Sequence, residues 1–407
     1  MKKFTLDELI FFALCLFAFS VIFSVTAVEA ALLIALGLLL AKKHSEGTLP
    51  AVRPSLTSHP LFLPWLVYLA ICLLTSLTAY YPLKGLGQLN SDFLKFVCLF
   101  TLFQSLKREA LPALSIFYIS GAALAALIGI GQVAHIFPSN FDYSSVRANA
   151  LMNAVRYSEV MTIAFMLVLA RLVIPVKETF KNENLFYRLV AVPVFISILL
   201  SQTRGAYLGL IAGVLTMLCF SGPYRKKMAA FAALMLCIAA LLMATNAGMR
   251  GRLLVMSGKK TSELTGNTPS VAINTRLELW KLGLKMFKAH PIVGIGPDNV
   301  KPVFTRFQPV QIGIEKTWGS LHSLYLHQAA ERGLLGLGAL LFLFWAMFAY
   351  ALARFRAAGS PFALWALCAL PAYYMMNLTE ISFQHVHTAF AIFMALAFSA
   401  AAGEEKV

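Results

Sequence analysis

The sequence is short of charge. Only 13% of its 407 residues are Asp, Glu, Lys or Arg, whereas 59% are hydrophobic, which excludes an ordinary water-soluble globular composition. Acid is the scarcer sign, with 18 Asp and Glu against 34 Lys and Arg. No Asp-x-Asp and no carboxylate cluster stands in the polar segments, so no metal site is expected. The six cysteines (Cys15, Cys72, Cys98, Cys219, Cys237 and Cys368) all fall in apolar runs and none is paired as Cys-x-x-Cys. That pattern reads as buried small residues, not as disulfides or zinc ligands. Also missing are a soluble domain, a low-complexity tract, a convincing internal repeat and an evident cleavable signal peptide.

What the chain has in quantity is apolar runs of helix-spanning length, about 20 residues at ~1.5 Å per residue. Residues 9–41 form one run too long for a single span, read as two helices turning near Ser24–Glu29. Further runs lie at about 61–79, 89–105, 112–135, 155–175, 187–201, 204–220, 228–244, 326–352, 361–376 and 383–401. The expected fold is an all-α integral membrane protein of about twelve transmembrane helices, one polytopic domain over residues 1–407.

Lys and Arg accumulate on cytoplasmic loops of membrane proteins. With both termini inside, the inner segments carry Lys42, Lys43, Arg53, Lys107, Arg108, Arg171, Lys177, Lys181, Arg188, Arg225, Lys226, Lys227, Arg354 and Arg356. The short outer loops carry only Lys84, Arg147, Arg156 and Arg204. The basic residues thus flank spans instead of forming a soluble patch, which argues against nucleic acid as the partner of this net +16 chain. One long loop, 245–321, falls outside with eleven Lys and Arg against four Asp and Glu. Long loops translocate regardless of charge.

Inside that loop Thr275 and Glu278 are spaced as a capping box, and Pro291 is a stop signal. A helix is expected between them, with Arg276 in its first turn, where free N–H groups attract anions. Lys281, Lys285 and Lys288 recur on one face, and Leu277, Trp280, Leu284 and Phe287 on another. This predicts a basic amphipathic helix on the outer leaflet. Gly294-Ile-Gly296 suggests a tight turn with close backbone approach. As a phosphate signature a lone Gly-x-Gly is weak.

Arg204 sits at the outer end of a short hairpin, followed by a Gly205/Gly209/Gly213 stripe suited to helix packing. A guanidinium there can clamp a lipid pyrophosphate or merely anchor the helix. Arg276 has the same two readings. His322, at the mouth of a membrane helix, can act as a general base on a hydroxyl or be a plain interfacial residue. Ser320 is a plausible N-cap for that helix. Glu331 lies nine positions on, on the opposite face, and reads as a buried supporting group. Glu380, in a short outer turn, can orient a site arginine. Arg147, Asn153, Arg156 and Glu159 could line a polar entrance, although a solvated loop is the plainer reading. His385 and His387 are two apart, a poor geometry for one ligand face.

With these residues in view, the chain resembles the bacterial O-antigen ligase family, which shares a membrane region with O-antigen polymerases and O-oligosaccharyltransferases. The resemblance is carried by Ser201-Gln-Thr-Arg204-Gly, by Thr275-Arg276-Leu-x-x-Trp280 running to Pro291-x-x-Gly294-x-Gly296, by His322-Ser-x-x-Leu through Glu331-x-Gly333, and by Asn377-x-x-Glu380. It covers about the second half of the chain. It implies a GT-C-type, metal-independent, inverting glycosyltransferase without cofactor in the bacterial inner membrane. The donor would be a glycan on undecaprenyl pyrophosphate and the acceptor a sugar hydroxyl of lipid A-core, joined at the periplasmic face. Arg204 and Arg276 would hold the pyrophosphate and His322 would activate the acceptor, with Glu331, Glu380, Arg147 and Arg156 in support. A polymerase of the same family, and a lipid-linked oligosaccharide transporter, are the competing readings. Transporters usually place their charges near the bilayer midplane, whereas the candidates here gather at one surface.

Overall fold

The computed structural model describes residues 4–138, 147–175, 181–245, 269–312 and 316–403. Lys177 and residues 246–268 of the long loop lie outside the described residues. Among those described the fold is all-helical, with no strand. The helices run α1 (Leu6–Ser20), α2 (Val25–Ser45), α3 (Val52–Thr57), α4 (Phe62–Leu77), α5 (Pro82–Ser105), α6 (Leu111–Val133), α7 (Ala154–Val173), α8 (Glu183–Leu200), α9 (Arg204–Phe220), α10 (Arg225–Thr245), α11 (Pro269–Ala289), α12 (Val300–Phe307), α13 (Leu324–Ala358), α14 (Pro361–Met376) and α15 (Val386–Ala401).

Every predicted apolar segment falls on a helix. Among the described residues, five helices can cross a membrane by length and composition: Val25–Ser45, Arg108–Val133, Glu183–Leu200, Gly222–Thr245 and Leu324–Ala358. A sixth span arises if Leu49–Thr57 and Phe62–Leu77, bent by 85°, are taken together. Helices α9, α14 and α15 are apolar but shorter. Leu127, Leu236, Leu241 and Trp345 stand exposed on the outside of the bundle. Such a surface suits a membrane and not water.

Local chemistry sets the turns. Thr5 and Glu8 form a capping box at α1, and Ser24 caps α2, so the 9–41 run breaks where the sequence predicted. Gly359 ends α13 at φ +58°, and Ser360 with Pro361 starts α14 at once. In the interior, α14 lies between α7, α9, α13 and α15. The stripe on α9 packs as expected: a Cβ at Gly209 would meet the Met376 side chain and the Ala372 carbonyl, and one at Gly213 the Met166 sulfur. Four cysteines are buried. Cys219 and Cys237 are exposed, contrary to expectation, because α9 and α10 turn those positions outward.

The described part of the long loop is a folded layer. Leu279, Leu282 and Met286 of α11 join Ile295, Val300, Val303, Phe304, Ile312, Leu321 and Ala330 in a second core. Fully burying each such side chain contributes ~1.5–3 kcal/mol. The stripe that faces this core is therefore Leu279, Leu282 and Met286. Of the predicted stripe, Leu277 and Leu284 are exposed, and Trp280 and Phe287 are half-buried.

Candidate functional site

The site forms at the bundle end where this layer meets the turns. Residues 291–299 dock onto α13 at a break in the helix. Gly333 there has φ +63°, and the Ile295 and Gly296 amides donate to the Ala330 and Glu331 carbonyls (3.0 and 2.8 Å). Leu334 N–H in turn donates to the Pro291 carbonyl (2.8 Å). Gly294 and Gly296 also have positive φ, +71° and +105°. A Cβ at Gly294 would strike the Glu331 backbone, one at Gly333 the Ile292 carbonyl, and one at Gly296 Ala79. The Gly-x-Gly run thus serves backbone docking. The same loop is tied to the α4–α5 corner: Asn299 Oδ1 accepts from Tyr81 N–H (2.7 Å), and His290 Nε2 lies 2.9 Å from the Tyr80 hydroxyl.

The start of α13 is stitched to the turn between α14 and α15. Leu324 N–H is shared by the Asn377 and Glu380 carbonyls (2.9 and 3.0 Å). The buried Asn377 closes that turn, accepting from Phe383 N–H (3.0 Å) and donating to the Tyr373 carbonyl (2.8 Å). Just before the helix, His322 adopts φ +49°. That conformation is uncommon for a residue with a Cβ and clusters at functional sites. Ser320 Oγ accepts from His322 N–H (3.0 Å), so it fixes this bend. It does not cap the helix, which begins two residues further on with Ser323 at the N-cap position. The Trp318 ring stands edge-on at 5.8 Å from the His322 ring.

Glu380 joins the elements. One carboxylate oxygen lies 3.0 Å from His322 Nδ1, and the other pairs with the Arg276 guanidinium. Burial alone would raise the Glu380 carboxyl, but the hydrogen bond from His322, with the His322 and Arg276 charges, holds it below its usual value of 4.5. Glu380 is 6% exposed, while Arg276 and His322 keep 26% and 28% of their side-chain surface. The charged anchor is buried and both partners remain partly exposed.

Arg276 corrects one expectation. Helix α11 begins at Pro269, so Arg276 lies two turns inside it and no free helix end adds to its anion affinity. Arg204 is the first residue of α9, as predicted, and its neighbour Gly205 packs against the Thr379 side chain, one position before Glu380. Arg147 holds the turn before Arg204, donating to the Ser201 carbonyl (2.7 Å) and Thr203 Oγ1 (3.0 Å).

The 147–159 segment is not a solvated loop. Asn153 caps α7, and Glu159 is fully buried, accepting from Ser382 Oγ (2.6 Å) with His385 Nδ1 at 3.6 Å. Arg156 is exposed and makes no hydrogen bond to the His322–Glu380–Arg276 set among the described residues.

Glu331 is buried behind the site, 3.4 Å from His327 and 3.9 Å from Arg332. There the chain holds charges that were missed. Asp92 accepts from Arg332 (2.8 Å) and from Lys95 (3.1 Å), and all three are fully buried. The available signal was Asp92 and Lys95 lying three apart within the apolar run 89–105, where ionisable residues are costly.

Residues 189–341 match the family model described as O-antigen ligase, which supports assignment of the chain to that family. The match takes in Arg204, Arg276, His322 and Glu331; Asn377 and Glu380 lie beyond it. A Haemophilus influenzae protein described as uncharacterized is 27% identical over 173 residues, 41% of this chain and 43% of that protein. The similarity therefore spans less than half of either.

Proposed function

We propose that this chain, assigned to the O-antigen ligase family through residues 189–341, is a membrane glycosyltransferase that moves a glycan from undecaprenyl pyrophosphate to a sugar hydroxyl of lipid A-core. The observation that supports this best is the placement of Arg276 and His322 on the two oxygens of one buried carboxylate, Glu380, beside the turn that carries Arg204.

In this reading Glu380 accepts from His322 Nδ1–H and leaves Nε2 as the base. Nε2 takes the proton of the acceptor hydroxyl as its oxygen attacks the anomeric carbon. The bond to the pyrophosphate oxygen breaks on the opposite face, so the configuration inverts. A guanidinium has five N–H donors and Glu380 engages one side of Arg276. The remaining donors, with Arg204, neutralise the leaving pyrophosphate. Preorganised charge in a dry site is worth far more than in water. Two guanidiniums carry the leaving charge, so the scheme calls for neither a metal nor a cofactor.

The topology belongs to the same proposal. The chain is one inner-membrane domain of twelve spans, GT-C in type, with both termini in the cytoplasm and residues 245–321 and the site on the periplasmic face.

The test is the purified protein in liposomes with an undecaprenyl-pyrophosphate glycan and EDTA, with and without lipid A-core, beside His322→Ala. Glycan on lipid A-core, lost in the variant, supports the ligase. Longer glycans still on undecaprenyl pyrophosphate would make it a polymerase. No transfer to either acceptor overturns the glycosyltransferase and returns the transporter.

A further inference from the structure

At the bundle end opposite His322, three cations from three helices converge on a cavity of about 120 Å³. Arg171 comes from the end of α7, Arg188 from the first turns of α8 and Lys227 from the start of α10, with Asn184 beside them and Leu172 and Phe231 as apolar lining. Arg171 is 7% exposed. Its guanidinium is fixed by Glu183 and by the rings of Tyr187 and Phe362 (5.2 and 5.7 Å). Its Nε is buried with no hydrogen-bond partner among the described residues. Arg188 and Lys227 form no ion pair among the described residues. Among the described residues, therefore, one carboxylate, Glu183, faces three cations, which leaves an excess of positive charge and a buried donor to spare.

The surroundings are apolar. Leu185, Leu189 and Val192 are exposed on α8. Leu185 and Val192, three before and four after Arg188, share its face, and Leu189 borders it. Leu234 is exposed one turn beyond Phe231 on α10, a helix with Met228 as its buried residue. Cations gathered in a cavity, with bare apolar side chains on the helix faces beside it, fit a molecule with an anionic head and hydrocarbon tails. Basic pockets between membrane helices hold phospholipid headgroups in this way.

We propose that this cavity binds the phosphate of an anionic glycerophospholipid, whose acyl chains lie along the Arg188 face of α8 and the Phe231–Leu234 face of α10. Guanidinium and phosphate pair through parallel N–H···O bonds, and the tails cover α10 side chains such as Leu234 that stand exposed. Free inorganic phosphate shares the head chemistry but cannot use the apolar helix faces.

The experiment is native mass spectrometry of the full chain released from nanodiscs of phosphatidylethanolamine with phosphatidylglycerol. The comparison is wild type, the double variant Arg188→Gln/Lys227→Gln, and Lys226→Gln as a basic neighbour outside the cavity. Wild type and Lys226→Gln should retain one phosphatidylglycerol, and the double variant should lose at least tenfold in occupancy. Millimolar inorganic phosphate should leave retention unchanged. Equal retention of the zwitterionic lipid, equal retention by the double variant, or equal loss in Lys226→Gln overturns the proposal. Displacement of the lipid by phosphate overturns the lipid as the ligand. Both altered side chains are exposed, so folding is preserved, and a shift in thermal unfolding with phosphatidylglycerol reads the same site independently.

Discussion

The Glu380 carboxylate reaches His322 Nδ1 at 3.0 Å across 58 positions of sequence, and its other oxygen holds Arg276. Glu380 thereby fixes which imidazole nitrogen stays open. Replacing His322 by Ala should reduce transfer by ~10²–10⁴-fold, the usual range for a lost acid–base group. Glu380→Gln keeps the shape but loses a charge-assisted bond of ~1.5–3 kcal/mol. Its turnover should fall by about 10–100-fold at unchanged expression, measured on the same reconstituted substrates. A Glu380→Gln variant as inactive as His322→Ala would mean the carboxylate takes part directly.

The two arginines should behave as forks and not as point charges. Arg276→Lys should retain part of the activity with a raised donor KM, because an ammonium cannot pair bidentately. Arg276→Ala should lose more, since it also strips Glu380 of a partner. Arg204→Ala should likewise weaken donor use. Full activity in Arg276→Ala sinks the role assigned to it.

Acid should dismantle this arrangement. Glu380 is held below its usual 4.5, so its ion pairs add stability that is complete above that value and fades as pH falls through the lowered one. Thermal unfolding of wild type and Glu380→Gln should therefore differ at neutral pH and converge below pH 4.5. A gap that persists in acid would trace the effect to packing.

The docking glycines should be intolerant. Gly294→Ala forces a Cβ into the Glu331 backbone and a left-handed φ of +71°, which alone costs ~1–2 kcal/mol. Gly338, on α13 with nothing within 4 Å of a built Cβ, is the control, and its change to Ala should be neutral or stabilising by up to ~1 kcal/mol. Unfolding midpoints of the two variants decide it.

Much of the fold was legible in the chain because each apolar run falls on a helix of the described residues. The positions of Arg204, His322 and Glu380 at one bundle end followed from those runs. What the sequence hid was pairing over distance. Helix spacing excludes Glu331 as the partner of His322 and suggests Glu380 as the orienter of an arginine, but nothing local shows that Glu380 also reaches His322, 58 positions away. Thr275 and Glu278 imitate a cap in mid-helix, since a capping box is a local pattern and α11 is set by packing against α13. The leucines chosen for the α11 stripe fit a membrane surface, whereas Leu279, Leu282 and Met286 face a protein core that only the folded layer creates.

A buried pair near the site makes a sharper test. Asp92→Asn leaves Arg332 and Lys95 buried with a neutral partner, and breaking a buried pair in this way costs ~3–5 kcal/mol. Arg332→Met combined with Asp92→Leu should recover part of that stability, read as unfolding midpoint. If Asp92→Asn alone is harmless, water reaches the cluster.

The second core takes Leu321 and Ala330 from the approach to α13 and from the helix itself. Eight of its ten buried residues precede residue 321 and the last two close it. The outer layer and the membrane bundle therefore share one hydrophobic seam, and loosening α13 loosens both sides of the site at once.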